Sequence, residues 1–242
     1  MVRLGLAASR RQAQAYIMAG RVLVNGQPVA KAGTLVPEAA TVELKGLRQP
    51  FVSRGGLKLA HALDHFRLDP EGLVCLDVGA STGGFTDCLL LRGAARVICL
   101  DVGWGQLHWK LRNDPRVVVL EKTNARYLTE KHTGGPVDAA VIDVSFISLT
   151  LVLPPVTALL RPGGWLIALV KPQFEVGKGL VGKAGVVRDP SQRQAAVEKI
   201  SEHLDKLGLK VLGQTASPIK GPKGNQEYLI AARAPLGQAD SI

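Results

Sequence analysis

The sequence predicts an α/β fold: a mostly parallel sheet covered by helices on both faces, preceded by a small basic α+β module. Three observations predict it. From residue 73 onward, short apolar runs alternate with amphipathic stretches, the spacing of strand–helix units in a parallel sheet. The first block shows helix and hairpin signals without that alternation. The charge is also uneven: of a net +10, residues 1–56 hold 8 Lys/Arg against 2 Asp/Glu, and residues 57–242 hold 22 against 18. A length of 242 residues suits one large domain plus a small one.

The small module spans residues 1–46. In "SRRQAQAYIMAG", Ser9 stands at an N-cap position, helix formers follow, and Gly20 is placed to end the helix. "RVLVNGQPV" sets Asn25-Gly26 between apolar runs, the signal of a tight hairpin, and "TVELKG" offers another short strand. Residues 47–55 read as a linker into a helix at about 57–67, and the large domain runs over 56–236. Its strands are expected at 73–79, 96–102, 117–121, 139–144, 164–171, 209–214 and 227–232. Helices are expected at 84–92, 104–112, 147–160 and 190–207. The Gly- and Lys-rich "FEVGKGLVGKAGVVRDP", residues 174–190, is expected to be a mobile loop.

A pI near 9.8 points to a polyanionic partner, nucleic acid ahead of an anionic membrane surface. Cys75, Cys88 and Cys99 are few, odd in number and widely spaced, which favours buried free thiols in a reducing cytosol over disulfides. No apolar run reaches the length of a membrane span, since Arg161-Pro162-Gly163-Gly164 breaks the best candidate. The N-terminus lacks a signal-peptide pattern, so a cytoplasmic protein is expected. The five histidines show no metal-ligand spacing, and no metal is expected. Neither a G-x-S-x-G elbow nor a P-loop is present.

Chemistry gathers at strand ends. "VCLDVGASTGGFTD" runs from a strand through Gly79 to a Gly83-Gly84 pair opening a helix, a turn that lets a ligand meet the backbone and the helix N-terminus. Ser81 occupies the second glycine's place in G-x-G-x-x-G, which disfavours a nicotinamide dinucleotide. Asp101 closes the next strand, where a carboxylate can accept hydrogen bonds from a ribose diol. An adenosine-type cofactor is the expectation, and a packing turn with a surface acid the plainer alternative. Asp143 and Lys171 end two further strands, and ligands of open α/β sheets bind outside such carboxyl ends. Lys58 falls on a first helical turn, where the macrodipole disfavours a cation, and Glu227 begins the last strand. Each of these four, taken singly, also reads as a solvated charge.

Taken together, Lys58, Asp143, Lys171 and Glu227 resemble the Lys-Asp-Lys-Glu tetrad of the FtsJ-like ribose 2′-O-methyltransferases. The segments "SRGGLKL", "LDVGASTGGFTD", "IDVSFISL", "LVKPQFEVGKG" and "GNQEYL" carry a closer resemblance to the TlyA family of ribosomal RNA methyltransferases, also labelled hemolysins. "LAASRRQAQAYIMAGRVLVNGQPVAKAG" resembles an S4 RNA-binding domain, with fewer residues ahead of "GLAASR" than that domain normally has. The resemblance implies a Rossmann-like, seven-stranded S-adenosylmethionine-dependent methyltransferase domain behind a small N-terminal α+β S4-like domain. It places S-adenosylmethionine against Asp77, Gly79, Ala80, Ser81, Gly83 and Gly84, with Asp101 on the ribose, Asn124 near the adenine and Phe146 near the methionine end.

The acceptor it implies is a cytidine 2′-hydroxyl in ribosomal RNA, of the large subunit first, with the small subunit as a second candidate. No obligate protein partner is evident. Lys171 then either takes the hydroxyl proton, oriented by Asp143 and Glu227, or as an ammonium steadies the developing oxyanion, with Lys58 positioning the substrate. Arg10, Arg11, Arg21 and Lys31 are candidates to meet phosphates, and Lys178 and Lys183 to close over a flipped nucleotide. A pore-forming hemolysin would need a membrane-inserting segment, and none is visible. A non-catalytic RNA-binding assembly factor would not need the intact tetrad.

Overall fold

The computed structural model describes every residue except 3, 5, 8, 38–39, 46–49, 183–184, 222 and 238–242, and leaves out the side chain of Lys178. The chain divides into two compact units, Met1–Gln49 and Pro50–Ile242. Part of the expected linker, residues 47–49, lies outside the described residues.

Among the described residues, the first unit has one helix, α1 (Arg10–Met18), and three short strands, β1 (Val22–Val24), β2 (Gln27–Val29) and β3 (Val42–Leu44). Ser9 caps α1 by accepting from the Gln12 N–H at 3.2 Å. The strands form an antiparallel sheet in the order β2-β1-β3. Asn25 and Gly26, at φ 50° and 78°, make the β1–β2 turn, whose left-handed geometry suits Asn-Gly. The Asn25 Oδ1 accepts from the Thr41 N–H at 2.9 Å, tying that turn to the entry of β3.

The second unit opens with α2 (Gly55–Phe66) and continues as β4 (Val74–Val78), α3 (Gly84–Leu91), β5 (Arg96–Leu100), α4 (Trp109–Arg112), β6 (Val117–Leu120), α5 (Glu130–Thr133) and β7 (Val137–Ile142). It ends with α6 (Leu149–Thr157), β8 (Leu160–Val170), α7 (Pro172–Glu175), α8 (Pro190–Lys206), β9 (Lys210–Ala216) and β10 (Tyr228–Arg233). The sheet order is β6-β5-β4-β7-β8-β10-β9. The first five are mutually parallel, and β10 runs antiparallel to both β8 and β9. Parallel strands buried on two faces read as continuous apolar runs, as "WLIALV" does. Alternate residues nevertheless serve different layers. Leu76, Val78, Ile98 and Leu100 join the core under α6 and α8, while Cys75, Val97 and Cys99 join the core under α2 and α3. All three cysteines are free and buried, and burial pushes the Cys75 and Cys88 thiols up to about 12.

Two expectations need correction. The helix expected at 104–112 shrinks to one turn, α4, because Gly105, at φ 70°, holds the preceding residues in a loop. The loop expected at 174–190 begins as structure: Pro172 opens α7, and Glu175 is buried. The Glu175 carboxylate accepts from the Leu149 N–H at 2.7 Å and the Ser148 hydroxyl at 2.6 Å, serving the first turn of α6. Lys199 Nζ lies 3.3 Å away. Replacing Glu175 by alanine should therefore cost about 2 kcal/mol, read as a lower urea midpoint, with Glu175→Gln recovering part of the loss.

Candidate active site

The strand order reverses at β4, where a sheet of this class opens a crevice beyond its carboxyl ends. Gly79 ends β4 at φ 85°, and a Cβ there would sit 2.5 Å from the Asp143 carbonyl oxygen at the end of β7. Only glycine lets the two rims meet so closely. Two adjoining chambers flank this contact, of about 290 and 480 Å³, and Gly79, Ser81, Asp143 and Ser145 line both.

Three of the four sequence-predicted residues, Lys58, Asp143 and Lys171, line the smaller chamber, and Glu227 is buried behind Lys58. Asp143 follows β7 and Lys171 follows β8, so parallel neighbours bring them to one rim. Because β10 is antiparallel, its start reaches the same rim: Tyr228 pairs with Val170, setting Glu227 beside Lys171 in register. Lys58 arrives from the first turn of α2. The four make two ion pairs, Lys58 Nζ to Glu227 Oε2 and Lys171 Nζ to Asp143 Oδ1, each 2.6 Å. The second is a charge contact out of line for a hydrogen bond, and Lys171 Nζ donates instead to Ser145 Oγ at 2.8 Å. Glu227 is 1% exposed, so the solvent-facing reading of this acid is overturned. Its buried charge also accounts for a lysine at a helix N-terminus.

The larger chamber has apolar walls from Val78, Leu100, Ala125 and Ile147, with Asp101 and Asn124 at its edge. The Asp101 oxygens accept from the Ser81 N–H at 2.8 Å and the Gly103 N–H at 2.7 Å, which fixes the carboxylate beside the glycine turn. Each oxygen keeps a lone pair for a diol. Ser81 holds φ 49°, a conformation unusual for a residue with a Cβ, and its hydroxyl donates to Gln106 at 3.3 Å. Apolar walls, a backbone turn without a Cβ in the way and a fixed carboxylate suit an adenosine group. Asn124 Oδ1 accepts from the Arg126 N–H at 3.0 Å, holding the turn behind it. Phe146, at φ 64° and 91% exposed, stands at the mouth with its ring 5.1 Å from that of Phe174.

Not every expected contact faces the chambers. Gly79, Ala80, Ser81, Gly84, Asp101, Asn124 and Phe146 do. Gly83 does not: the space of its missing Cβ is filled by Leu107 and Leu111. Asp77 lies behind the wall, fully buried, with Oδ2 accepting from the Thr86 hydroxyl at 2.6 Å. Ser145 and Lys220, absent from the sequence-based set, line the smaller chamber, and only the hydroxyl two residues past Asp143 offered a signal for the first. In the first unit Arg10, Arg11 and Lys31 are exposed, while Arg21 donates to the Lys45 carbonyl at 3.4 Å and lies over the Tyr16 ring. Lys183 and the Lys178 side chain lie outside the described residues.

Burial pushes the Asp77 carboxyl up from 3.8 to about 7, opposed by the Thr86 hydrogen bond and reinforced by the charges of Asp143 and Asp101. An unfolded chain gives up this proton near 3.8, whereas the folded chain keeps it until about 7. The group's contribution to stability therefore falls as pH rises through that window and is level on either side. Asp77→Asn keeps an acceptor for Thr86 and has no proton to lose. Its urea midpoint should fall less than the parent's between about pH 5 and about pH 8, with parallel curves as the contrary result.

Known proteins share this sequence and architecture. Residues 51–234 match the FtsJ-like methyltransferase family and residues 1–42 the S4 domain. The chain is 50% identical over 240 residues to the 16S/23S rRNA (cytidine-2′-O)-methyltransferase TlyA of Mycobacterium tuberculosis, covering 99% of this chain and 90% of that one. It is 41% identical over 227 residues to Hemolysin A of Brachyspira hyodysenteriae, covering 93% and 94%. A solved structure from Streptococcus thermophilus matches with a TM-score of 0.76 at 42% identity, over 96% of this chain and 86% of that one. Both the sheet with its tetrad and these likenesses lead to one assignment: the chain belongs to the TlyA family of FtsJ-like methyltransferases.

Proposed function

We propose that the chain transfers a methyl group from S-adenosylmethionine to the 2′-hydroxyl of a cytidine in ribosomal RNA. The observation that carries this reading is the convergence of Lys58, Asp143, Lys171 and Glu227 as two ion pairs beside a chamber suited to adenosine. When bound, S-adenosylmethionine supplies an electrophilic sulfonium methyl. Asp101 would hold the ribose diol, Asn124 the adenine edge and the Gly79–Ser81 backbone the methionine end, with Phe146 over the mouth. Asp77, behind the wall, would stiffen the turn without touching the cofactor.

The acceptor hydroxyl would enter the smaller chamber, against Lys171 Nζ. Asp143 and Ser145 hold that nitrogen from two sides. A neutral amine there takes the hydroxyl proton, and an ammonium neutralises the oxygen as it becomes nucleophilic; the acidic limb of a pH–rate profile separates the two. Lys58, neutralised by Glu227, would position the ribose.

Residues 1–46 would capture RNA through Arg10, Arg11, Arg21 and Lys31, and residues 56–236 would perform transfer, with Lys178 and Lys183 as candidates to close over a flipped nucleotide. The Mycobacterium tuberculosis relative is named for both 16S and 23S rRNA, so both ribosomal subunits are substrates to try. Among the described residues no helix is long and apolar enough to cross a membrane, and no observation favours lysis over transfer.

The test is radiolabelled methyl transfer from S-adenosylmethionine to separated ribosomal subunits. The parent should label the RNA of at least one subunit. Lys171→Ala should lower the rate by about 1,000-fold, with cofactor Kd within about twofold of the parent. A parent that binds cofactor and labels neither RNA would overturn the reading.

A further inference from the structure

Residues 104–127 hold five Lys/Arg against two Asp/Glu, so this short stretch supplies three of the four excess positive charges over residues 57–242. Its acids are already engaged, Glu121 by Arg112 and Asp114 by Arg116, and Lys110 pairs with Asp87. Lys122 and Arg126 make no ion pair among the described residues. Each lies against an aromatic ring instead: Lys122 Nζ is 5.8 Å from the Trp104 ring centre, and Arg126 Cζ is 5.7 Å from that of Tyr127. Both rings stand in solvent, 72% and 68% exposed.

These residues sit on two bonded loops. Trp104 follows β5, and residues 122–127 follow β6; the Lys122 N–H donates to the Gly103 carbonyl at 3.1 Å and the Thr123 N–H to the Asp101 carbonyl at 3.0 Å. The same loops carry Asp101, Val102, Asn124 and Ala125 of the chamber lining, so each ring stands two residues beyond that lining. Exposed aromatic faces beside unpaired cations match the chemistry of single-stranded RNA, whose bases stack on rings while its phosphates meet the cations. An apolar protein surface would leave two cations unpaired, and a duplex would keep its bases stacked away from the rings.

We infer that Trp104, Lys122, Arg126 and Tyr127 form a second RNA contact surface, which takes unpaired bases beside the target nucleotide. It rests on the RNA-methyltransferase reading and adds to it a substrate requirement: unpaired nucleotides next to the methylated one.

The experiment uses the full chain carrying Trp109→Phe, so that Trp104 is the exposed indole and the buried Trp165 is the other. A single-stranded oligouridylate of about ten nucleotides, a length within the site sizes of such surfaces, should quench the emission saturably. Lys122→Ala with Arg126→Ala, or Tyr127→Ala, should raise its Kd by about 10-fold, with cofactor Kd as in the parent. Absence of quenching, equal quenching by an RNA duplex of the same length, or variants that bind like the parent would each overturn the inference. So would an emission change that follows protein concentration alone together with a dimer in sedimentation, which would assign the surface to a second copy. Methyl transfer measured on the same samples separates the two readings. Transfer without quenching sinks this surface and leaves the enzyme, whereas quenching without transfer sinks the enzyme and leaves the surface.

Discussion

The buried pair of Lys58 and Glu227 joins residues 169 apart in the chain, and the architecture of the cleft follows from it. Neither charge is tolerable alone at that depth, since removing one leaves the other without compensation. The pair therefore fixes the first turn of α2 against the entry of β10. Lys171 and Asp143 repeat the arrangement across the chamber, so the four charges sum to zero. Such a cleft exerts little net pull on a polyanion. Attraction falls to the cations at its walls, Arg54 and Lys220.

The reversal of β10 is what lets the last strand contribute. Had it run parallel to β8, its first residue would lie at the opposite end of the sheet. Inserted antiparallel between β8 and β9, it delivers Glu227 to the rim where β7 and β8 end. The segment before it is also secured. Asn225, 3% exposed, accepts from the Val187 N–H at 3.0 Å and donates to the Gly185 carbonyl at 2.8 Å. The glycine-rich segment and the tetrad acid consequently share one anchor two residues from Glu227.

Much of this was legible in the residues, and the exceptions have physical causes. Continuous apolar runs identified the parallel strands, Asn25-Gly26 the hairpin, and the strand-ending positions of Asp143 and Lys171 a shared crevice. Glu227 was not legible from its own pattern, because its burial depends on the direction of β10, which only sheet pairing decides. The helix expected at 104–112 reflected an amphipathic pattern that Gly105 interrupts. Glu175 lay hidden in a polar stretch, since its partners are the hydroxyl and backbone N–H of a helix 26 residues earlier. The family resemblance named the tetrad as a set. It could not name Ser145, whose part rests on one hydrogen bond to Lys171.

The order of the strands along the chain also sets an order in time. During synthesis a chain emerges from its amino end, and domains form as their segments become available. The described strands of the first unit end at Leu44, and β4 to β8 can align once Val170 has emerged. Lys58 waits for its partner until β10, the last strand, threads into the gap between β8 and β9. A nascent chain can thus hold a formed front unit while its cleft is still incomplete, and completing the fold and closing the Lys58–Glu227 pair become a single event.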